Sequence, residues 1–187
     1  MIKTTFAILL CLIFLLFSCY KSDRELDDIK KFKPDDKYFK SNLVALHFII
    51  ETSSISRVDS VFNNLIDLYE LPVDAKECPD GVFFGESPYD AYDYKHIIKL
   101  EIENEKIINA DYNEIPFKGI GKQEDSLYCA EMSITGTTPA IAYPKMENEF
   151  ISKQNISEVD AVSGASYSLY RFRYATMIAL IRAKLSK

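Results

Sequence analysis

The chain has 187 residues, with 28 acids against 22 lysines and arginines, a formal net charge of −6 and 48% hydrophobic residues. That length and apolar share suit one globular domain with a short flanking segment. An acidic balance without a basic cluster argues against nucleic acid, and against holding an anionic membrane by charge alone.

At the N-terminus Lys3 precedes an unbroken apolar run at 6–17, too short for a bilayer-spanning helix. This is the build of an export signal, assigned to 1–18. Leu16-Phe17-Ser18-Cys19 resembles the lipobox of bacterial lipoproteins, with the small Ser18 before the cysteine. The resemblance implies cleavage before Cys19, lipid on Cys19, and a mature protein held on the extracytoplasmic side of a membrane in the bacterial cell envelope. An ordinary secretory signal cleaved nearby is the alternative. Residues 19–41 are charge-rich (Lys21, Asp23, Arg24, Glu25, Asp27, Asp28, Lys30 and Lys31) and are expected to be a tether, with the domain at 42–187. Cys11 falls in the signal, which leaves Cys78 and Cys129, whose pairing the sequence leaves open. His47 and His96 stand alone without metal-ligand spacing, so no metal ligand is assigned.

Within the domain, 42–50 is almost continuously apolar and reads as a buried strand, with a helix as the alternative. Ser56-Arg57-Val58-Asp59 has capping-box spacing. It opens a helix that carries Val58, Val61, Phe62, Leu65 and Leu68 on one face and ends before Pro72. Residues 73–79 connect to a strand at 80–87. Ile98, Leu100 and Ile102 then alternate with Lys99, Glu101 and Glu103, the two-residue period of a half-buried strand. Asn104-Glu105 turns the chain and 106–112 returns it. Residues 116–125, with Gly119 and Gly121, are loop. The small residues Thr135-Gly136-Thr137-Thr138-Pro139 are a plain turn or one wall of a pocket, and Tyr143, Pro144, Met146, Phe150 and Ile151 predict a short helix. The expected fold class is α+β, an antiparallel sheet with packed helices, one of them C-terminal.

The segment Asp160-Ala161-Val162-Ser163-Gly164-Ala165-Ser166 is a small-residue loop. It leads into a helical pattern carried by Leu169, Phe172, Thr176, Ile178 and Ala179. Gly164 takes a positive φ at little cost, and Ser166 falls near a helix N-terminus, where free N–H groups and the helix dipole favour a phosphate. A Ser-capped helix with an Asp in the preceding turn accounts for the same letters.

These residues resemble the flavinylation motif of the FMN-binding domain family, Asp-x-x-Ser/Thr-Gly-Ala-Thr. That family includes the C subunit of the sodium-pumping NADH:quinone reductase and the G subunit of the Rnf complex. Ser166 stands where Thr is usual. Asp80-Gly81-Val82-Phe83-Phe84-Gly85-Glu86-Ser87 is similar to the family's first strand, and the hairpin lacks only the turn glycine; the resemblance covers about 80–184. It implies FMN joined as a phosphoester to Ser166 by a dedicated flavin transferase. Ser163, Gly164 and Ala165 would line the phosphate turn, and Asp160 would serve the transferase. Arg171 or Arg173 would balance the phosphate charge, and Tyr167 or Tyr170 would stack on the ring. The implied protein is an electron carrier or redox subunit with unknown redox partners rather than a stand-alone enzyme. The competing expectation is a flavin-free surface lipoprotein that binds an envelope or host partner, and the serine at 166 is its support.

Overall fold

The computed structural model describes residues 26–187; the export signal 1–18, Cys19 and the first part of the tether lie outside the described residues. The elements are α1 (Phe39–Thr52), α2 (Ile55–Tyr69), β1 (Gly81–Glu86), β2 (Tyr94–Glu103), β3 (Lys106–Pro116), α3 (Ser126–Met132), α4 (Pro139–Lys153) and α5 (Ser166–Leu185). Three short 3-10 turns join them, at Asp28–Phe32, Ser133–Thr135 and Ile156–Glu158. The fold class is α+β. Among the described residues no helix is long and apolar enough to cross a membrane.

The strands form one antiparallel sheet in the order β1-β2-β3. The alternation in β2 does what its period predicts: Ile98, Leu100 and Ile102 are buried together with Ile107, Ala110 and Tyr112 of β3. The hairpin turns on Asn104 (φ 51°) and Glu105 (φ 59°), two successive left-handed residues that match the right-handed twist of the strands. Asn104 donates its N–H to Asp80 Oδ1 at 2.7 Å, which ties the entrance of β1 to this turn.

Helix α5 lies between two cores. Leu169, Phe172, Ala175, Ala179, Leu180 and Ala183 face the sheet and α4, and join its buried residues. Tyr170, Tyr174, Met177, Ile178 and Ile181 face the opposite way, against α1 and α2. Ala175 and Ala179 are small because β1 comes very close here. A Cβ on Gly85 would lie 1.8 Å from the Ala175 carbonyl oxygen, so only glycine fits at that position.

Several expectations are corrected. Residues 42–50 are not a strand but the middle of α1, which buries Leu43, Leu46, His47 and Ile50 and leaves Phe48 exposed. The expected tether is folded from Leu26 onward, with Leu26 and Ile29 fully buried in the α1–α2–α5 core. Two of its acids pair with the helices, Arg182 Nε to Asp28 Oδ2 at 2.6 Å and Lys40 Nζ to Asp27 Oδ1 at 3.0 Å. Helix α2 begins after Ser54, ahead of the capping-box serine Ser56. The short helix expected near Tyr143 is the fifteen-residue α4, opened by Pro139, whose missing N–H costs nothing in a first turn. Cys78 and Cys129, whose pairing the sequence left open, are both free thiols.

Candidate functional site

Helix α5 begins at Ser166 without a side-chain cap. Its first intrahelical bond runs from Leu169 N–H to Ala165 O at 3.1 Å, so the N–H groups of Ser166, Tyr167 and Ser168 are the helix's unspent donors. A tight turn precedes it, closed by Ala165 N–H to Val162 O at 2.8 Å, with Gly164 at φ 83°. That left-handed position calls for glycine. Space demands it as well, since a Cβ there would lie 2.8 Å from Thr135 O. The loop therefore rests directly on the Thr135–Thr138 segment, which is a turn and also one wall of a recess. The recess has a volume of about 30 Å³ and is lined by Tyr128, Thr137, Thr138, Tyr143, Gly164 and Ser168 among others. Thr137 is buried there, and its hydroxyl has no hydrogen-bond partner among the described residues.

The individual residues sit as follows. Ser166 is half-buried at the first helical position and Ser163 is exposed. Ser163 does not cap the helix; Ala165 occupies that place. Ala165 is half-buried beside Gly164, and both line the recess. Asp160 is exposed on the approach to the loop. The hydrogen bond from Lys153 Nζ, 3.2 Å away, holds its carboxyl below the usual carboxylate range. Ser168 rather than Ser166 lines the recess, where it interacts with the Tyr143 hydroxyl.

Four expected contacts are redirected. Arg173 Nη2 donates to Ser157 O at 3.0 Å and Val159 O at 2.9 Å, stapling the approach segment to α5. Arg171 points to the other side of the helix, toward Glu51 and Glu114. The Tyr167 hydroxyl donates to Ser53 O and the Tyr170 hydroxyl to Asp59, at the α1–α2 junction. The aromatic rings at the recess are instead Tyr128 and Tyr143. Sequence reasoning passed over both, because each looks like a packing residue on its own helix.

A recess of about 30 Å³ has room for one water-sized group. It fits a hydroxyl or a phosphate oxygen. An isoalloxazine ring attached at this point has to lie outside it, where Leu127, Ile134 and Ile141 are exposed on the segments that form the recess.

A second region was invisible in the sequence, which assigned no metal ligand. His47 and His96, which stand alone in the sequence, lie with ring centroids 5.5 Å apart. Around them gather Glu51, Asp90, Glu114, Lys122 and Arg171. Arg171 grips Glu51 with two bonds, Nε to Oε1 at 2.8 Å and Nη2 to Oε2 at 2.6 Å. Lys122 Nζ reaches Glu114 Oε2 at 2.6 Å. Burial alone raises a carboxyl pKa, and His96 with Arg171 at Glu51, and Arg171, His96 and Lys122 at Glu114, more than reverse it, holding both at about 2. Burial, reinforced by neighbouring His96, drives His47 down to about 3, so its imidazole is neutral at ordinary pH. Glu114 also accepts from the Tyr112 hydroxyl at 3.3 Å and approaches Tyr143, so one carboxylate stands between the recess and the histidines.

No family model and no curated protein matches the chain. Among solved structures, the crystal structure of the CPE2226 protein from Clostridium perfringens is 29% identical, with a TM-score of 0.55 over 59% of this chain and 92% of that one. A solution NMR structure of a protein from Clostridium thermocellum is 22% identical, with a TM-score of 0.38 over 56% and 92% of the two chains. The first shares the fold across somewhat more than half of this chain. Neither description states an activity.

Proposed function

We propose that this protein carries FMN joined through its phosphate to Ser166, and acts as an extracytoplasmic electron carrier anchored by lipid on Cys19. The observation that supports this most directly is the start of α5. A hydroxyl occupies the first helical position, the first-turn N–H groups are unspent, and a positive-φ Gly164 brings the loop down onto Thr135. The flavin would supply one- or two-electron transfer, and the chain supplies attachment, orientation and shielding. Ser166 presents the acceptor oxygen. The N–H groups of Ser166, Tyr167 and Ser168 hold phosphate oxygens in place of the missing cap. Gly164 and Ala165 keep the turn free of bulk, and Lys153 holds Asp160 ionised at the approach, where a flavin transferase would dock. The redox partners are unknown. The alternative, a flavin-free surface lipoprotein with an envelope or host partner, rests on the serine at 166 and on a structural observation: Arg171 and Arg173 are both committed elsewhere.

Co-expression with a flavin transferase, followed by denaturation, in-gel fluorescence and intact mass, decides between the two. The expected mass gain is that of FMN less water. Ser166→Ala is expected to abolish labelling and Ser166→Thr to keep it, while Ser163→Ala leaves it in place. Labelling lost in Ser168→Ala but retained in Ser166→Ala would move the site by two residues. An unlabelled wild type, beside a labelled Thr-motif control, would favour the flavin-free reading.

A further inference from the structure

We propose that His47, Glu51, Asp90 and His96 bind a divalent transition-metal ion, with zinc as the best fit, in a closed site between α1 and β2. His47 and Glu51 lie one helical turn apart on α1, so both side chains leave the same face. His96 faces them from β2, and one ligand atom from each of the three lies within 4.8 Å of the others. Asp90 Oδ2 is 3.9 Å from His96 Nε2, and Glu51 Oε1 is 3.5 Å from the same nitrogen. Two imidazoles and two carboxylates suit a zinc-like ion better than calcium or magnesium, which take oxygen ligands.

The second argument is what these atoms lack. His47 Nε2, both ring nitrogens of His96 and Asp90 Oδ2 are buried with no hydrogen-bond partner. They make up half of such orphaned side-chain atoms among the described residues. An orphaned buried polar atom costs about 1–3 kcal/mol. Concentrating four of them at one point is explained by a cation that satisfies three at once.

The surroundings are built to hold the ligands. Asp90 Oδ1 accepts from the N–H groups of Tyr92 and Tyr94, both at 2.8 Å, which leaves Oδ2 turned toward His96. The backbone of His96 is pinned by Ser87, whose hydroxyl accepts its N–H at 3.0 Å and whose N–H bonds its carbonyl at 2.9 Å. Arg171 locks the plane of the Glu51 carboxylate, and Oε1 keeps a lone pair for the metal. With Nε2 on the ion, His96 Nδ1–H faces Glu114 Oε2, 3.9 Å away, the outer carboxylate that commonly orients a metal-bound histidine. Charge agrees. The carboxylates of Glu51, Asp90 and Glu114 outnumber the cations of Arg171 and Lys122 by one.

The site is independent of the flavin reading, since the metal alone is the probe. The full chain, purified in detergent, stripped with chelator and checked for folding by circular dichroism, is titrated with Zn²⁺ in competition with a chromophoric chelator and separately with Co²⁺. One equivalent bound, a visible cobalt d–d spectrum of low-symmetry N/O type and a raised Tm are expected. His96→Gln and His47→Gln, confirmed as folded, should lose the cobalt spectrum. Glu114→Gln should keep it with affinity reduced about 10–100-fold, as an orienting residue does. Asp90→Asn preserves shape and should weaken binding, which covers the case in which a histidine variant fails to fold. Folded wild type that binds neither ion overturns the proposal. So does a cobalt spectrum unchanged in the folded His47 and His96 variants, or in Asp90→Asn if those variants do not fold.

Discussion

The loop at 160–166 and the histidine cluster under α1 are both reached from α5, yet they are built in opposite ways. The loop is consecutive in sequence, mostly exposed, and held by backbone turns and a glycine. The cluster draws on α1, the β1–β2 connection, β2, β3, the loop after β3 and α5, and its side chains are buried. A site made of neighbours in the chain can be recognised as a string and altered with little effect on the fold. A site made of distant residues leaves no string, and its charges are part of what holds the elements together.

Breaking the cluster should therefore have the largest effect. Arg171→Met strips Glu51 of its bidentate partner and Glu114 of one of its two lysine and arginine partners, and is expected to cost about 3–5 kcal/mol. Ser166→Ala, at the head of the same helix, should stay within about 0.5 kcal/mol of wild type. Urea denaturation of the two variants side by side measures the contrast; similar midpoints would mean that the cluster is not structural.

Acid should find the cluster before the loop. His47 is held near 3 in the fold against about 6.5 unfolded, so the unfolded chain binds the extra proton and stability falls as pH drops from 6.5 toward 3. Glu51 and Glu114, held near 2, contribute stability that is complete above about 4.5 and lost as pH falls toward 2. Glu147, pushed up to about 6 by burial, acts in the opposite sense, its contribution present below 4.5 and lost as pH rises through 6. The net expectation is a falling Tm on acidification, with a shallower slope between pH 6.5 and 4.5 in His47→Gln. An unchanged slope would show that His47 is not the group titrating.

Gly85 tests where the comparison stops. It belongs to the strand that was legible as a string, but its substitution should behave like a cluster lesion. Gly85→Ala drives a methyl into the Ala175 carbonyl and should cost about 1–3 kcal/mol or more. A Tm equal to wild type would mean that α5 and β1 can part without penalty.

What could be read in advance follows the same division. The hairpin was legible because Ile98, Leu100 and Ile102 alternate with charges, and because Asn104-Glu105 interrupts two such runs. The loop was legible as letters, and its seat on Thr135 only as one of two options. Helix α1 was misread because Val44, Ala45, Phe48 and Ile49 fill the gaps in its apolar pattern, although they lie on the outer or half-buried side. The true stripe is Leu43, Leu46 and Ile50 with His47 beside them, a helical i, i+3, i+7 spacing that the apolar residues between them mask. That masking hid the helix, and the distance of His96 along the sequence hid the cluster. Leu26 and Ile29 were lost among charges for a similar reason, since two apolar residues in a polar run carry no period.

One substitution away from both sites should give a gain. Glu105 holds φ 59° in a turn that favours glycine, so Glu105→Gly should raise stability by about 1 kcal/mol without touching either site. A loss of stability would mean that the Glu105 side chain makes a contact worth more than its strain.

The burial of Leu26 sets a height. If Cys19 carries lipid, about seven residue steps separate the anchor from the first core side chain. A fully extended chain covers no more than about 3.3–3.6 Å per step, a leash of roughly 25 Å. That is shorter than the thickness of the bilayer with its headgroups, about 40–45 Å. A domain on so short a leash stays against its own membrane. Under the proposed reading, its electron partner would have to be a neighbour in that same membrane, reached by turning in place rather than by crossing the envelope.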